Sequence, residues 1–150
     1  MPNREPKHPI FEYSQITDQI FIGTNACCQM HFKQELLDKG VSRDISLESE
    51  MIDQPYGVET FVWLPTPDKH PPSSDNVKIG TVALSEMLAQ GQKIYIHCKN
   101  GHGRAPTFFA AFLISRGMSA DQALGLIKAK RPSIHLEQGQ LDFLEDFGKT

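Results

Sequence analysis

A cysteine and an arginine flank a short segment that contains two glycines, in the order Cys98, Lys99, Asn100, Gly101, His102, Gly103, Arg104. A thiolate is a strong nucleophile, and the planar guanidinium of arginine can bind two oxygens of one phosphate group. Successive backbone N–H groups in a glycine-bearing loop can also point at one anion. We call residues 98–104 the cysteine loop. Its composition predicts that Cys98 attacks phosphorus while the loop amides and Arg104 hold the phosphate oxygens.

The departing oxygen of a phosphate ester needs a proton, and Asp68 is the best candidate to supply it. Asp68 lies in residues 65–72, the acid loop, where the density of prolines excludes regular structure. A carboxylic acid there can protonate the leaving group and, once ionised, activate water. The alternative for Asp68 is ordinary turn chemistry. Asp75 is the nearest rival, but its position fits the first turn of a helix.

A strand and a helix must position the cysteine loop. Lys93–His97 has the apolar character of a short buried strand, and from Arg104 the apolar spacing predicts a helix that ends at Gly117. The helix N-terminus carries positive partial charge, which favours both a bound phosphate and the thiolate form of Cys98. His97 precedes the nucleophile, and we expect it to face inward and support the loop through hydrogen bonds.

The remaining pattern alternates strands with helices. Further strands are predicted at residues 20–22, 41–47 and 58–64, and helices near residues 32–37, 74–88, 119–130 and 141–144. Ser74 is the predicted N-cap of the second helix, and Ser119 with Gln122 forms a predicted capping box. We therefore expect an α/β fold with a largely parallel central sheet of about four or five strands and helices on both faces. The ligand site of such a sheet lies beyond the carboxyl ends of its strands.

The length, net charge and cysteine count of the whole chain exclude several classes of function. Its 150 residues favour a single domain over residues 1–150, with residues 1–9 as a loose N-terminal arm. A net charge of −3 without a basic run argues against a nucleic-acid partner. No apolar run is long enough for an integral membrane segment. Three cysteines do not make a disulfide framework, which predicts a reducing, cytoplasmic location.

The string from His97 to Arg104 resembles the signature of protein tyrosine phosphatases, in which His-Cys is followed by five residues and Arg. The short chain is similar to the dual-specificity branch of that superfamily, and the resemblance runs from about residue 20 to residue 147. Residues 64–68, ending in Asp68, resemble the family's general-acid loop. The segment around Gln140 is similar to one that positions water in some relatives. The resemblance implies a phosphocysteine intermediate, no metal or organic cofactor, and a phosphorylated protein as substrate, with phosphotyrosine first and phosphoserine or phosphothreonine in addition.

Two features leave alternatives open. Lys99 and His102 are basic where lipid phosphatases of the superfamily tend to be basic, so a phosphoinositide or another small phosphate ester is the second substrate class. Ala105 stands where the family usually has a serine or threonine that helps the sulfur to leave. Slower breakdown of the phosphoenzyme is therefore expected, and a phosphate-binding pseudophosphatase is the further alternative.

The other cysteines and the histidines invite different interpretations. His97, Cys98 and His102 suggest a metal site, but no second pair of ligands follows at zinc-site spacing, so no metal is predicted. Cys27 and Cys28 are expected to be core or loop thiols. A redox link from either of them to Cys98 is left open, because a nearby thiol can resolve an oxidised nucleophile.

Overall fold

The computed structural model describes residues 9–149, so the predicted arm at residues 1–9 lies outside the described residues except for Pro9. Five strands and five helices follow one another in these residues. The strands are β1 (Tyr13–Gln15), β2 (Ile20–Gly23), β3 (Val41–Glu48), β4 (Thr60–Thr66) and β5 (Lys93–His97). The helices are α1 (Gln34–Asp38), α2 (Ser74–Ala89), α3 (Arg104–Ser115), α4 (Ala120–Lys130) and α5 (Gln138–Phe147).

The strands form one sheet in the order β1-β2-β5-β3-β4. Strands β2, β5, β3 and β4 are parallel to one another, whereas β1 pairs with β2 in the antiparallel direction. The predicted α/β fold with a largely parallel sheet is confirmed. The sequence pattern missed β1, because its three residues are too few to show a period. It occupies the edge of the sheet, where an antiparallel strand is common.

Alternation along the strands separates two cores. Ile45 and Leu47 of β3 and Ile94 and Ile96 of β5 face the larger core, which α2, α3, α4 and α5 cover. The opposite face carries Tyr95 of β5 and is covered by α1 and by a short 3₁₀ turn, Asn25–Cys27. Because side chains alternate in a strand, Asp44 and His97 lie on this second face. Because α2 to α5 cover one face of the sheet and α1 covers the other, the predicted placement of helices on both faces is confirmed.

The helix caps agree with the sequence at one position and differ at another. Ser119 and Gln122 form the predicted capping box of α4. The cap of α2 is Ser73 rather than Ser74: Ser73 has extended backbone, and its Oγ accepts a hydrogen bond from the N–H of Asn76 at 3.1 Å. Either serine could cap by residue type, and the backbone path out of the proline-rich loop decides between them. Among residues 9–149 no helix combines the length and the hydropathy needed to cross a membrane.

Candidate active site

The cysteine loop joins the carboxyl end of β5 to the N-terminus of α3, as predicted. Cys98 is only 3% exposed and Arg104 only 2%. Gly101 has a φ of 71°, and a Cβ placed there would lie 2.6 Å from the carbonyl oxygen of Gly23. Both the left-handed backbone and this close approach require glycine. The tight turn of the loop thus depends on its packing against the end of β2.

Four successive carbonyl groups of the loop each accept a hydrogen bond from a residue outside the loop. Their donors are the N–H of Asn25 to Lys99 O (3.1 Å), Arg131 Nη2 to Asn100 O (3.0 Å), Arg131 Nε to Gly101 O (2.8 Å) and the N–H of His135 to His102 O (2.7 Å). In a planar trans peptide the N–H points opposite to the carbonyl. These bonds fix the peptide planes of the loop, and we expect the amides between them to face the opposite way, as a phosphate cradle requires.

Arg131 holds the middle of the loop. It is only 1% exposed, and besides the two loop carbonyls it binds the carboxylate of Glu12 and, at 3.1 Å, the Oγ of Ser14. The planar fork of arginine suits this arrangement because it offers donors in several fixed directions. In the sequence this residue only marks the end of a helix before Pro132, so its contact with the cysteine loop was not predicted.

Arg104 is surrounded by acceptors. Its two terminal nitrogens bind Glu50 Oε1 at 2.5 Å and Oε2 at 3.0 Å, and Nη1 also donates to the carbonyl of Thr66 at 2.9 Å. Burial lowers the pKa of Arg104, but Glu50, the Cys98 sulfur and Asp68 outweigh it and raise the pKa overall. Partial burial raises the pKa of Glu50, yet the bonds to Arg104 lower it overall. Sequence reasoning missed Glu50, which lies in the segment after β3.

The three predicted catalytic side chains meet in one cavity of about 200 Å³. Asp68 is well exposed, and its Oδ1 lies 3.6 Å from Nη2 of Arg104. The cavity also reaches the late segment of the chain that the resemblance singled out. Its lining residues are Asp68, Lys69, Cys98, Asn100, His102, Gly103, Arg104, His135, Glu137 and Gln140. None of these is phenylalanine, tyrosine or tryptophan, and all of them except Gly103 carry a polar or ionisable side-chain group.

Gln140 lines this cavity but is held by two hydrogen bonds. Its Oε1 accepts from the N–H of Glu137 at 2.8 Å, which closes the capping box of α5. Its Nε2 donates to the carbonyl of His70 in the acid loop at 3.1 Å. The side chain therefore joins the acid loop to α5, in addition to any contact with water.

A second groove, of about 390 Å³, runs beside the cysteine loop. Ile10, Thr24, Lys99, Asn100 and His102 are among its lining residues. Burial first, and then the positive charge of Arg131, lower the pKa of His102. The neutral imidazole is therefore favoured. Among the described residues that line this groove, Lys99 is the positively charged side chain and Glu12 the negatively charged one.

His97 is fully buried, but within residues 9–149 its ring makes no hydrogen bond to the cysteine loop, contrary to expectation. Its Nε2 lies 3.0 Å from Asp44 Oδ1 and 3.4 Å from Asp53 Oδ2. Burial lowers the pKa of His97, but Asp44, Asp53 and the Cys98 sulfur outweigh it and raise the pKa to about 9. Burial raises the pKa of Asp53 to about 6 despite the opposing effect of His97. The strand alternation turns this ring toward the second face of the sheet.

Cys27 and Cys28 lie in the core on that face, which agrees with one of the two expectations for them, but they are joined as a disulfide. Cys98 is free. Cys28 Sγ lies 3.6 Å from Nε2 of His97. In this state neither cysteine is a free thiol that could resolve an oxidised Cys98.

Ala105 is fully buried in the larger core, which also contains Cys98. The nearest hydroxyl in the sequence, Thr107 Oγ1, donates to the carbonyl of Gly103 at 2.7 Å. The Thr107 hydroxyl is therefore already used in a hydrogen bond at the start of α3, and it belongs to the residue two positions after Ala105.

Comparisons with known proteins agree with this geometry. The family described as "Tc-R-P: Polymorphic toxin system, DSP-PTPase phosphatase" matches residues 22–118. The human protein named phosphatidylglycerophosphatase and protein-tyrosine phosphatase 1 is 38% identical over 79 residues, which are 52% of this chain and 39% of the human protein. The chain thus spans well under half the length of that curated relative.

Solved structures share the fold over nearly the whole chain. The crystal structure of PTPMT1 in complex with PI(5)P has a TM-score of 0.77 and 27% identity, and the match covers 91% of this chain and 94% of that one. Human DUSP28 has a TM-score of 0.81 at 17% identity, covering 91% of this chain and 95% of that one. The latter likeness is one of fold.

Proposed function

We propose that this chain, which belongs to the DSP-PTPase phosphatase family of polymorphic toxin systems, hydrolyses phosphate monoesters through a phosphocysteine on Cys98. One observation carries the proposal: Cys98, Arg104 and Asp68 line one cavity. The hydrogen bonds from Arg131 to the loop carbonyls support an inward direction of the loop amides. A nucleophile, a phosphate cradle and a proton donor are the three parts that the reaction needs.

In the first step the thiolate of Cys98 attacks phosphorus and forms the S–P bond as the P–O bond of the ester breaks. Asp68 gives its proton to the departing oxygen. Arg104 and the loop amides hold the three equatorial oxygens, on which negative charge is spread in the transition state. The bidentate contact with Glu50 keeps the guanidinium of Arg104 oriented before phosphate enters.

In the second step water attacks phosphorus, and the ionised Asp68 accepts its proton. The S–P bond breaks, phosphate leaves, and the thiolate of Cys98 is restored. The reaction needs neither an electron acceptor nor a metal, because the loop and Arg104 supply the charge. We also propose a reducing compartment such as the cytoplasm, since the nucleophile works only as a free thiolate.

Hydrolysis of para-nitrophenyl phosphate tests this proposal, with chelator and reductant present, between about pH 5 and 8. We expect Cys98→Ser to abolish turnover and Asp68→Asn to lower kcat by about 10²-fold or more. Asp75→Asn is the matched control, because Asp75 lies in the first turn of α2, and it should keep wild-type activity. Turnover that survives Cys98→Ser would refute the mechanism. A wild type that binds phosphate without turnover would identify a pseudophosphatase, for which Ala105 is the motivating residue.

Phosphotyrosine in proteins, with phosphoserine and phosphothreonine, is the first proposed substrate class. The family description, which includes the dual-specificity type, supports it. The exposure of Asp68 at the mouth of the cavity also leaves room for a peptide to approach.

A phosphoinositide or another phosphorylated polyol is the second candidate, and a specific observation favours it. Most lining residues of the cavity have polar side chains, Lys69 and His135 among them, while Lys99 lines the adjoining groove. Hydroxyl and phosphate groups of a headgroup would find donors there, whereas a phenyl ring would find no phenylalanine, tyrosine or tryptophan among the lining residues. PI(5)P, with which PTPMT1 was crystallised, is a ligand of the same chemical class.

The two classes separate in a phosphate-release assay with a phosphotyrosine peptide, a phosphoserine peptide and dispersed PI(5)P. If the polyol class is correct, Lys99→Met lowers kcat/KM for PI(5)P about 10-fold and leaves the peptide values unchanged, since one charged contact contributes about 1.4 kcal/mol. Lys128→Met, on the exposed face of α4, is the control for general charge effects. A higher kcat/KM for the phosphotyrosine peptide, with no effect of Lys99→Met on PI(5)P, would favour the protein substrate.

A further inference from the structure

Four metal-binding side chains meet behind the cysteine loop, on the face of the sheet covered by α1. Cys27, Cys28, Asp44 and His97 bring two sulfurs, a carboxylate oxygen and an imidazole nitrogen within 4.8 Å of one another, and all four residues are buried. The catalytic step proposed above uses none of these four side chains. They come from three separate parts of the chain: the 3₁₀ turn after β2, strand β3 and strand β5.

We propose that, when the two cysteines are reduced, this cluster binds one zinc ion in a tetrahedral site. Two thiolates, one histidine and one carboxylate are ligands that Zn²⁺ prefers, and four protein ligands are typical of a structural zinc site. The zinc–ligand lengths of such sites place neighbouring nitrogen and sulfur ligands roughly 3.5 Å apart and nitrogen and oxygen ligands roughly 3.3 Å apart. Here Cys28 Sγ is 3.6 Å and Asp44 Oδ1 is 3.0 Å from Nε2 of His97.

The charges around the cluster also fit a cation. Within residues 9–149, neither carboxylate oxygen of Asp44 nor of Asp53 has a well-aligned hydrogen-bond donor, although all four atoms are buried. In the same part of the chain, His97 is the one cationic side chain that pairs with these two carboxylates. A zinc ion would take the place of the proton between Nε2 of His97 and Asp44 Oδ1, which lie 3.0 Å apart, and would give the buried Asp44 carboxylate a direct charge partner.

The sheet register explains why the sequence spacing hides this site. Asp44 pairs with Tyr95, and Ser46 pairs with His97. The Asp44 and His97 side chains therefore lie on the same face of the sheet, offset by two residues along the neighbouring strands. The ends of β2 and β5 are also neighbours, with Gly23 opposite His97, which places the 3₁₀ turn over His97. No short motif reports this arrangement, because the ligands are distant in sequence and only the two cysteines are adjacent.

The disulfide between Cys27 and Cys28 must open before zinc binds. A phosphine or dithiol reductant supplies two electrons, the S–S bond breaks, and two protons from water convert the sulfurs to thiols. Zn²⁺ then replaces the two thiol protons and the proton on Nε2 of His97, and all three protons pass to the buffer. Two S–Zn bonds and one N–Zn bond form in their place. The site therefore exists in the reduced protein and is closed by oxidation.

The ion would link the segments that frame the cysteine loop. His97 immediately precedes the nucleophile, and Asn25, in the same 3₁₀ turn as Cys27, binds the carbonyl of Lys99. A closed four-ligand site leaves no position for substrate, so the role is structural. Binding to the folded state alone would stabilise the protein.

Zinc content and cobalt spectroscopy test the site in a Cys98→Ser background, which removes the competing nucleophile. The protein is reduced with a phosphine, freed of reductant, loaded with Zn²⁺ or Co²⁺ and desalted. We expect about one zinc ion per chain, thiolate-to-cobalt charge-transfer bands in the near ultraviolet, and a higher unfolding temperature with zinc. The oxidised form of the same protein should retain less than about a tenth of that zinc, and this control requires no further mutation.

Ligand variants then assign the site. Cys27→Ser, Cys28→Ser and Asp44→Asn should each remove most of the zinc and the rise in unfolding temperature, with circular dichroism to verify folding. His102→Gln, in the cysteine loop, should leave both unchanged. The proposal is overturned if the reduced protein retains no zinc, if zinc persists after both cysteines are replaced by serine, or if only His102→Gln removes it. Because the readouts are metal content and stability, they do not depend on the proposed phosphatase activity.

Discussion

Arg131 offers the sharpest test of how the cysteine loop obtains its shape. Replacing it with methionine keeps a long side chain in the buried site but removes every donor. The carbonyls of Asn100 and Gly101 then lose their bonds at 3.0 and 2.8 Å, and the Glu12 carboxylate loses its partner. We expect the loop amides to lose their common direction, with a large effect on catalysis and a smaller one on folding.

The magnitude follows from the lost contacts. Each hydrogen bond from a charged donor contributes about 1.5–3 kcal/mol. The two buried carbonyls thus account for most of the loss, while Glu12 is exposed enough for water to replace its partner. Removing the buried charge returns part of its desolvation cost, so we expect a net loss of about 2–4 kcal/mol. For a chain of this size the unfolding temperature should fall by about 5 to 15 °C.

We expect Arg131→Met to lower kcat by more than its loss of folding stability would predict. Misdirecting one preorganised donor to the transition state lowers kcat by about 10²–10³-fold. Steady-state hydrolysis of para-nitrophenyl phosphate, measured at a temperature where the variant is folded by circular dichroism, gives kcat and KM separately. Inorganic phosphate as a competitive inhibitor reports the affinity of the cradle itself and should weaken in parallel.

Two controls identify the cause. Lys130→Met removes a neighbouring but exposed positive charge and should change neither rate nor stability. Glu12→Gln removes the charge partner of Arg131 and leaves the bonds to the loop carbonyls in place, so kcat should fall far less than in Arg131→Met. A folded Arg131→Met protein with wild-type kcat and phosphate affinity would show that the carbonyl bonds do not orient the loop amides.

Three further predictions follow from single residues. Gly101→Ala should abolish activity, because its φ of 71° and a Cβ 2.6 Å from a carbonyl oxygen cannot be accommodated. By contrast, Gly125→Ala in open space on α4 should raise the free energy of unfolding by about 0.5–1 kcal/mol, and equal unfolding curves for the two variants would contradict this. Glu50 has a lowered pKa, so its bond to Arg104 stabilises the fold above the ordinary value of 4.5 and is lost as pH falls below it. The stability difference between wild type and Glu50→Gln should accordingly be constant near neutral pH and close below pH 4.5, and a gap that widens in acid would be inconsistent with the pair. Ala105→Ser should speed phosphocysteine breakdown and reduce the trapped phosphoenzyme in rapid-quench experiments, whereas an unchanged rate of that step would exclude a role for the hydroxyl.

Much of the candidate active site could be predicted from contiguous stretches of sequence. The strand Lys93–His97, the glycine-bearing loop and the helix from Arg104 are contiguous, so composition and spacing predict them directly. The acid loop is equally local from Pro67 onward, where prolines restrict the backbone. Pro65 and Thr66, which were expected to lie in the loop, are instead the last two residues of β4, because they continue the extended backbone of that strand. These are the parts that bring Cys98, Arg104 and Asp68 into one cavity.

The residues that the sequence did not predict act across long distances along the chain. Glu50 and Arg131 are charged, and most residues of these types lie on the surface. Only the packing of distant segments shows that one contacts Arg104 and the other the loop carbonyls. The same holds for Asp44, which lies within a strand and faces a buried histidine that the sheet register alone brings near.

The hydrogen bonds to the loop carbonyls also bear on the order of folding. Arg131 reaches across 119 residues to Glu12 and across 30 residues to Gly101. Contacts between such distant segments close large loops and are expected late in folding, after local helices have formed. The cradle can therefore take its final shape only when both ends of the described chain have docked. In a refolding experiment, the helical circular dichroism signal should return before phosphate binding does. Phosphate affinity would then measure the fraction of molecules in which the long-range contacts have formed.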